Sequence, residues 1–228
     1  MNVSSQPLDD DSLSDALRLS LVAGVGPRLR KALLEEFGTA GAVLAAAPSD
    51  LRRVQGIGAE LTRRIAVAKE DIDVQAELDM CAASHITILT DQDPAYPRML
   101  REIYDPPGIL FMRGDIRPAD AIAIAIVGSR HATQYGLAQA ERLAGSLARA
   151  GITIVSGLAR GIDAAAHRGA LAAGGRPLAV LGSGLLNMYP PGARGPGRRG
   201  GPAWSRAERS SAAQPALERR VPAAQSDH

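Results

Sequence analysis

Between Asp15 and about Ala68 apolar residues recur every three or four positions, the interval that lines one face of an α-helix. Residues 1–14 are polar, lack that rhythm and read as a flexible lead. Two short turns interrupt the helical stretch, Gly24-Val25-Gly26 and Gly56-Ile57-Gly58, each closing one helix and opening the next. The first glycine of such a turn supplies the positive φ of a helix C-cap. Over residues 69–117 the pattern changes. EDIDVQAELDMCAASH reads as a helix, HITILT as a short strand, and residues 109–113 as a second strand. The dipeptides Asp93-Pro94, Tyr96-Pro97 and Pro106-Pro107 mark the loops between them.

From Ala121 the pattern becomes a run of uninterrupted apolar residues, AIAIAIVGSR, ending at Gly128-Ser129. That is the pattern of a strand buried on both faces. A helix (QYGLAQAERLAGSLARAG), a strand (ITIVSG), a helix (IDAAAHRGALAAG) and a strand (PLAVLGSG) follow. Strands starting near Ile124, Ile152 and Pro177 predict βαβαβ, a partial Rossmann-like parallel sheet with right-handed crossovers over residues 118–191. The fold class expected is therefore α/β, with a helical domain in front.

The two glycine turns share a frame. Leu19, Val22, Gly24, Val25 and Gly26 align with Leu51, Val54, Gly56, Ile57 and Gly58, and Leu33 and Ile65 lie seven residues after the second glycines. This resembles a tandem helix-hairpin-helix unit, here over residues 15–68. Backbone amides at such a turn face a phosphate at a helix N-terminus, so Gly24, Gly26, Gly56 and Gly58 are candidate DNA phosphate contacts. Arg28, Arg30 and Lys31 follow the first turn, and Arg63 and Arg64 the second. The position four after the second glycine, usually small, holds Arg30 in one copy and Thr62 in the other.

The sequence pI near 9 suggests nucleic acid until the charge is divided along the chain. Residues 1–191 carry 19 basic and 21 acidic side chains, whereas residues 192–228 carry seven arginines against three acids. That last segment is rich in Arg, Ala, Gly and Pro and has Trp204, Leu217 and Val221 as its only sizeable apolar residues. It cannot repay its ordering entropy by burial and is expected to be disordered. No apolar run reaches the roughly 20 residues of a membrane span, and acids at Asp9, Asp10 and Asp11 do not suit a secretory leader. The lone Cys81 suits a buried structural thiol in a cytoplasmic protein.

Candidate chemistry gathers at the carboxyl ends of the three parallel strands, where loops feed helix N-termini. Gly128-Ser129-Arg130, the loop at residues 156–161 and Gly182-Ser183-Gly184 converge there, with small residues, an expected anion nest of amides, and the guanidinium forks of Arg130 and Arg160. No Gly-x-Gly-x-x-Gly follows the first strand, no acid ends the second, and no Gly-Lys-Ser/Thr loop occurs, so no nucleotide cofactor is expected. Asp163 and His167 share a helix face but are too few for a catalytic metal site; Asp163 reads as complementing the helix dipole. Tyr135 is the one aromatic placed to stack a base near these loops.

Three segments carry a family resemblance: VGSR at 127–130, SGLARGIDAAAHRGAL at 156–171, and RPLAVLGSGLLNMYPP at 176–191. Together with DPAYPRMLREIYDPPGILFMRG and the paired hairpins, they resemble the DNA-processing protein A (DprA/Smf) family from about Leu17 to Pro191. The resemblance implies a non-enzymatic, cofactor-free protein of natural transformation that binds single-stranded DNA, protects it and loads the RecA recombinase. It implies Gly128, Ser129, Arg130, Ser156, Gly157, Arg160 and Gly161 as DNA-binding residues, and a homodimer whose contacts lie partly beyond the matched segment.

After Pro191 the resemblance stops. The Arg/Ala/Gly/Pro text that follows is what a GC-rich gene read in a shifted frame gives, as 24 Arg against 2 Lys suggest, so truncation or frameshift is expected. An incomplete sheet predicts an open edge at the first strand, a marginal fold and weak binding. Two rivals stand beside this reading. One is a phosphoribohydrolase-like nucleotide enzyme on the same sheet type, whose Pro-Gly-Gly-x-Gly-Thr signature Pro191-Gly192-Ala193-Arg194 does not match. The other is a truncated product without function.

Overall fold

The computed structural model describes residues 10–182 and 185, and the backbone of 205–208. Six helices build the N-terminal unit: α1 (Asp10–Leu21), α2 (Pro27–Phe37), α3 (Ala40–Ala45), α4 (Pro48–Leu51), α5 (Ala59–Ala66) and α6 (Ala68–Asp71). The first begins at Asp10, inside the stretch expected to be flexible, because Asp10 and Asp11 favour its N-terminal turn while Ala16, Leu17 and Leu19 bury its inner face. Both hairpins form as expected, with Gly24 at φ +105° and Gly56 at φ +95°. The repeat frame is also the core, for Leu17, Leu19, Leu33, Leu51 and Ile65 are wholly buried in one cluster.

That cluster continues through α7 (Val74–Ala83), β1 (Thr87–Thr90) and β2 (Ile109–Arg113), taking in Cys81, Ile109 and Phe111, and Leu185 reaches it from beyond the last parallel strand. Burial among apolar neighbours pushes the Cys81 thiol up to about 11, which suits an inert structural cysteine. A polar clasp joins the helical unit to the sheet. Arg30 is buried and donates from both terminal nitrogens to Asp91, at 2.8 and 3.2 Å. Its guanidinium lies against Gly108, where a side chain would collide with it. Arg30, one of the basic residues that follow the first turn, faces inward.

After the one-turn helix α8 (Arg98–Arg101) between β1 and β2, the parallel half consists of β3 (Ala123–Ala125), α9 (Gln134–Arg149), β4 (Thr153–Ser156), α10 (Ile162–Ala172) and β5 (Leu178–Leu181). Its βαβαβ order is the one the sequence predicts. A further strand, β6 (Ser205–Glu208), pairs parallel to β5 and antiparallel to β2, so the six-stranded sheet runs β1-β2-β6-β5-β4-β3. These four residues depart from the disorder expected of 192–228, and the remainder of that segment lies outside the described residues. Pairing of this kind draws on backbone amides and carbonyls of the β2 and β5 edges, and needs no apolar pattern.

The open edge expected at the strand near Ile124 is present in β3; the second departure is that its faces, expected to be buried, are not. All three of its residues are exposed. Both crossover helices lie on one face, where Ile154 packs against Ala144, Ala166 and Ala170. On the other face, Val127 (69% exposed) and Val180 remain open among the described residues.

Candidate nucleic-acid interface

Two loops meet at the carboxyl ends of β3 and β4. The first runs from Ile126 to Thr133, whose Oγ1 accepts the Gly136 amide at 3.1 Å and caps α9. The second runs from Gly157 to Gly161, with Leu158 at φ +55° and Gly161 at φ +88° immediately before α10. Gly161 packs directly on the Ser129 carbonyl and the Arg130 backbone, leaving no room for a Cβ, and its left-handed φ suits glycine in any case. The Ile162 amide then donates to the Ser129 carbonyl at 3.2 Å. The Arg130 and Arg160 loops are thereby held against one another.

The amides expected to form an open anion nest have an internal partner. Asp163, buried in the first turn of α10, accepts the Gly128 amide on Oδ1 at 3.2 Å and the Gly157 amide on Oδ2 at 3.1 Å. Two amides of the expected nest are therefore taken by the protein's own carboxylate. The sequence suggests a dipole role for Asp163; a short acid one step into a helix after a glycine-rich loop is the available signal for this second role. Ser129 and Ser156 are likewise turned to local structure. Ser129 Oγ accepts the His131 amide at 3.1 Å. Ser156 is buried, and its hydroxyl has no hydrogen-bond partner among the described residues. Its register one pleat from Ile154 aims it at the helices rather than at solvent.

Beneath Ser156 lies His167. Burial pushes this imidazole down to about 4, against the opposing pull of the Ser156 backbone and the Asp163 charge. It is held neutral under the loops, and no group of three or more metal-ligating side chains occurs among the described residues.

What faces outward is side chain rather than backbone. Arg130 and Arg160 are exposed, and Arg130 has no ion pair among the described residues. Tyr135, on the first turn of α9, is 75% exposed and close in sequence to the first loop. Gly182 opens the third loop, just after β5; Ser183 and Gly184 lie outside the described residues.

The hairpins add a second basic region. Gly26 and Gly58 are the N-caps of α2 and α5, and neither offers a side-chain cap to the amides of the first turn. The first turn of α2 carries no acid, and Arg28 beside it is exposed. The first turn of α5 carries Glu60, which accepts from Arg63 and Arg64 and is held below the usual carboxylate range by those hydrogen bonds. No helix of the described residues is long and apolar enough to cross a membrane.

Comparison with known proteins follows the same division. Residues 87–195 match the model of DNA recombination-mediator protein A, and residues 16–71 match a SAM-like tandem helix-hairpin-helix model. The chain is 37% identical to Protein Smf of Synechocystis sp. over 77% of its own length and 45% of the relative's. It is 44% identical to DNA processing protein DprA of Streptococcus pneumoniae over 43% of its own length and 34% of the relative's. The chain thus spans less than half the length of either. The solved structure of the S. pneumoniae protein superposes with a TM-score of 0.66 at 26% identity, covering 86% of this chain and 66% of that one.

Proposed function

From a chain that belongs to the DNA recombination-mediator protein A family, we propose a protein that binds single-stranded DNA at the carboxyl ends of β3 and β4, without catalysing a reaction. The observation that carries this reading is the pair Arg130 and Arg160, exposed on two loops that Gly161 and Ile162 lock together. With Asp163 occupying the amide nest, the phosphate ligands are guanidinium forks, which track a sugar–phosphate backbone without reading bases. Gly128, Ser129, Ser156, Gly157 and Gly161 contribute by shaping those loops. Tyr135 supplies one stacking face.

The same proposal extends to a second contact at the helix-hairpin-helix unit. The amides at the Gly24–Gly26 turn, with Arg28 beside them, suit a phosphate. The equivalent Gly56–Gly58 turn is offset by Glu60. Handing the strand to a recombinase of the RecA type, homodimerisation and a cytoplasmic setting are carried by family membership alone.

Fluorescence anisotropy with labelled oligo-dT at two salt concentrations tests the site. Arg130→Ala and Arg160→Ala should each weaken binding by about five- to tenfold at low salt and flatten its salt dependence by about one phosphate contact. Binding unchanged in both variants moves the site elsewhere. Release of free base from a nucleoside monophosphate would favour the phosphoribohydrolase reading instead.

A further inference from the structure

We infer that Asp163 is a positioning residue of the single-stranded DNA surface, setting the two arginine loops through the amides of Gly128 and Gly157. The inference rests on the reading that Arg130 and Arg160 hold the strand. Gly128 lies two residues before Arg130 and Gly157 three before Arg160, so each amide fixes the start of the segment that carries its arginine. The carboxylate gives one oxygen to each loop, at 3.2 and 3.1 Å, from a buried place on α10. That helix is braced by the close packing of Gly145 against the Gly169 carbonyl, 3.1 Å from the position of an added Cβ. An anchored acid of this kind holds both loops, and with them the two arginines, at a fixed separation.

The chemistry requires a carboxylate. Both partners are N–H donors, and only an ionised acid presents two acceptor oxygens. The amide of asparagine would accept one N–H and oppose the other with its own NH2, releasing one loop. Asp163 also places a negative charge where a free phosphate would otherwise enter the nest. Recognition therefore passes to the arginines on the rim.

A double-mutant cycle on the 228-residue chain tests the inference, reading oligo-dT anisotropy alongside thermal unfolding. Asp163→Asn should weaken binding about tenfold, as expected for a lost hydrogen bond to a charged group, and lower the salt dependence. In a chain already carrying Arg130→Ala and Arg160→Ala, the same change should cost less than about twofold, because it acts through those side chains. Equal weakening in both backgrounds, or unchanged affinity in the first, overturns the inference. Should the arginine variant itself bind as the parent does, the site reading fails first, and that pattern is distinct. Gly157→Ala provides a second route if Asp163→Asn does not fold. It keeps the acid but brings a methyl group within 2.9 Å of Oδ2, so it should weaken binding in the same direction, and an unchanged affinity counts against the inference.

Discussion

The helical half and the parallel half of this chain draw on the same Ala, Leu, Val and Ile, yet among the described residues only one of them closes. In the helical half Leu17, Leu19, Leu33, Leu51 and Ile65 are wholly buried. In the parallel half Val127 and Val180, on the face away from α9 and α10, stay exposed among the described residues, while Ile122 and Ile124 are exposed at the β3 edge. A tandem hairpin repeat buries its apolar stripes by folding one copy against the other, so its core is complete within the repeat. A parallel sheet has two faces, and it buries both only when helices flank both. Here α9 and α10 flank one. Closure is thus a property of how many layers an architecture needs, and hydrophobic content alone does not confer it.

The largest expected effect tests that contrast directly. Leu33→Ala should destabilise by about 2–5 kcal/mol, the cost of a core cavity, whereas Val127→Ala on the open face should stay within about 0.5 kcal/mol. Urea unfolding midpoints measure both. Comparable costs would show that the open face is covered in solution and would break the comparison.

Acid should strike the parallel half selectively. His167 is neutral when folded, with its value pushed down to about 4, while an unfolded imidazole titrates near 6.5. The unfolded state therefore takes up a proton that the folded state refuses as pH falls below about 6.5. Stability from this group is complete above that pH, declines through the interval and levels off near pH 4, a loss on the order of 3 kcal/mol. Denaturant midpoints between pH 7 and 4 should show the decline in the parent. The slope should flatten in His167→Gln, and an identical slope in both would assign the acid response to other groups.

How much of this could be read beforehand depended on whether a feature repeats. The strands near Ile124, Ile152 and Pro177 and the hairpins at Gly24 and Gly56 recur at fixed spacing, and each was legible. β6 was not, because Ser205–Glu208 has no apolar periodicity to announce a strand. Burial of β3 was misjudged because an apolar run reports what a strand can tolerate, whereas exposure depends on its neighbours. At the site, the loops and arginines were visible, and the partner of the amides was not. Whether Gly128 and Gly157 donate to a phosphate or to Asp163 is a question of three-dimensional reach that spacing does not answer.

Arg30 joins the two halves, and its loss should matter less than a core leucine. Arg30→Ala leaves Asp91 without its bidentate partner, but Asp91 is partly solvated, with a side chain 23% exposed. A cost on the order of 2 kcal/mol is expected, below the 3–5 of a fully buried pair. Restoring part of it by adding Asp91→Asn would identify the stranded charge as the source. A loss that persists in the double variant would point to packing against Gly108 instead.

The smallest effect separates the two hairpins, alike in backbone and unlike in charge. Glu60 sits in the first turn of α5 and accepts from Arg63 and Arg64, while the first turn of α2 has no acid. Arg64 also donates to the Ala23 carbonyl at 3.0 Å, so part of the second copy's charge is committed to holding the first. Removing the acid with Glu60→Gln should make the second hairpin resemble the first and tighten oligo-dT binding by less than about threefold at low salt, with the gain vanishing as salt screens these exposed groups. Anisotropy titrations at two salt concentrations decide it. Weaker binding in Glu60→Gln would mean that the acid holds Arg63 and Arg64 in a productive place, and that the second hairpin, rather than the first, meets the strand.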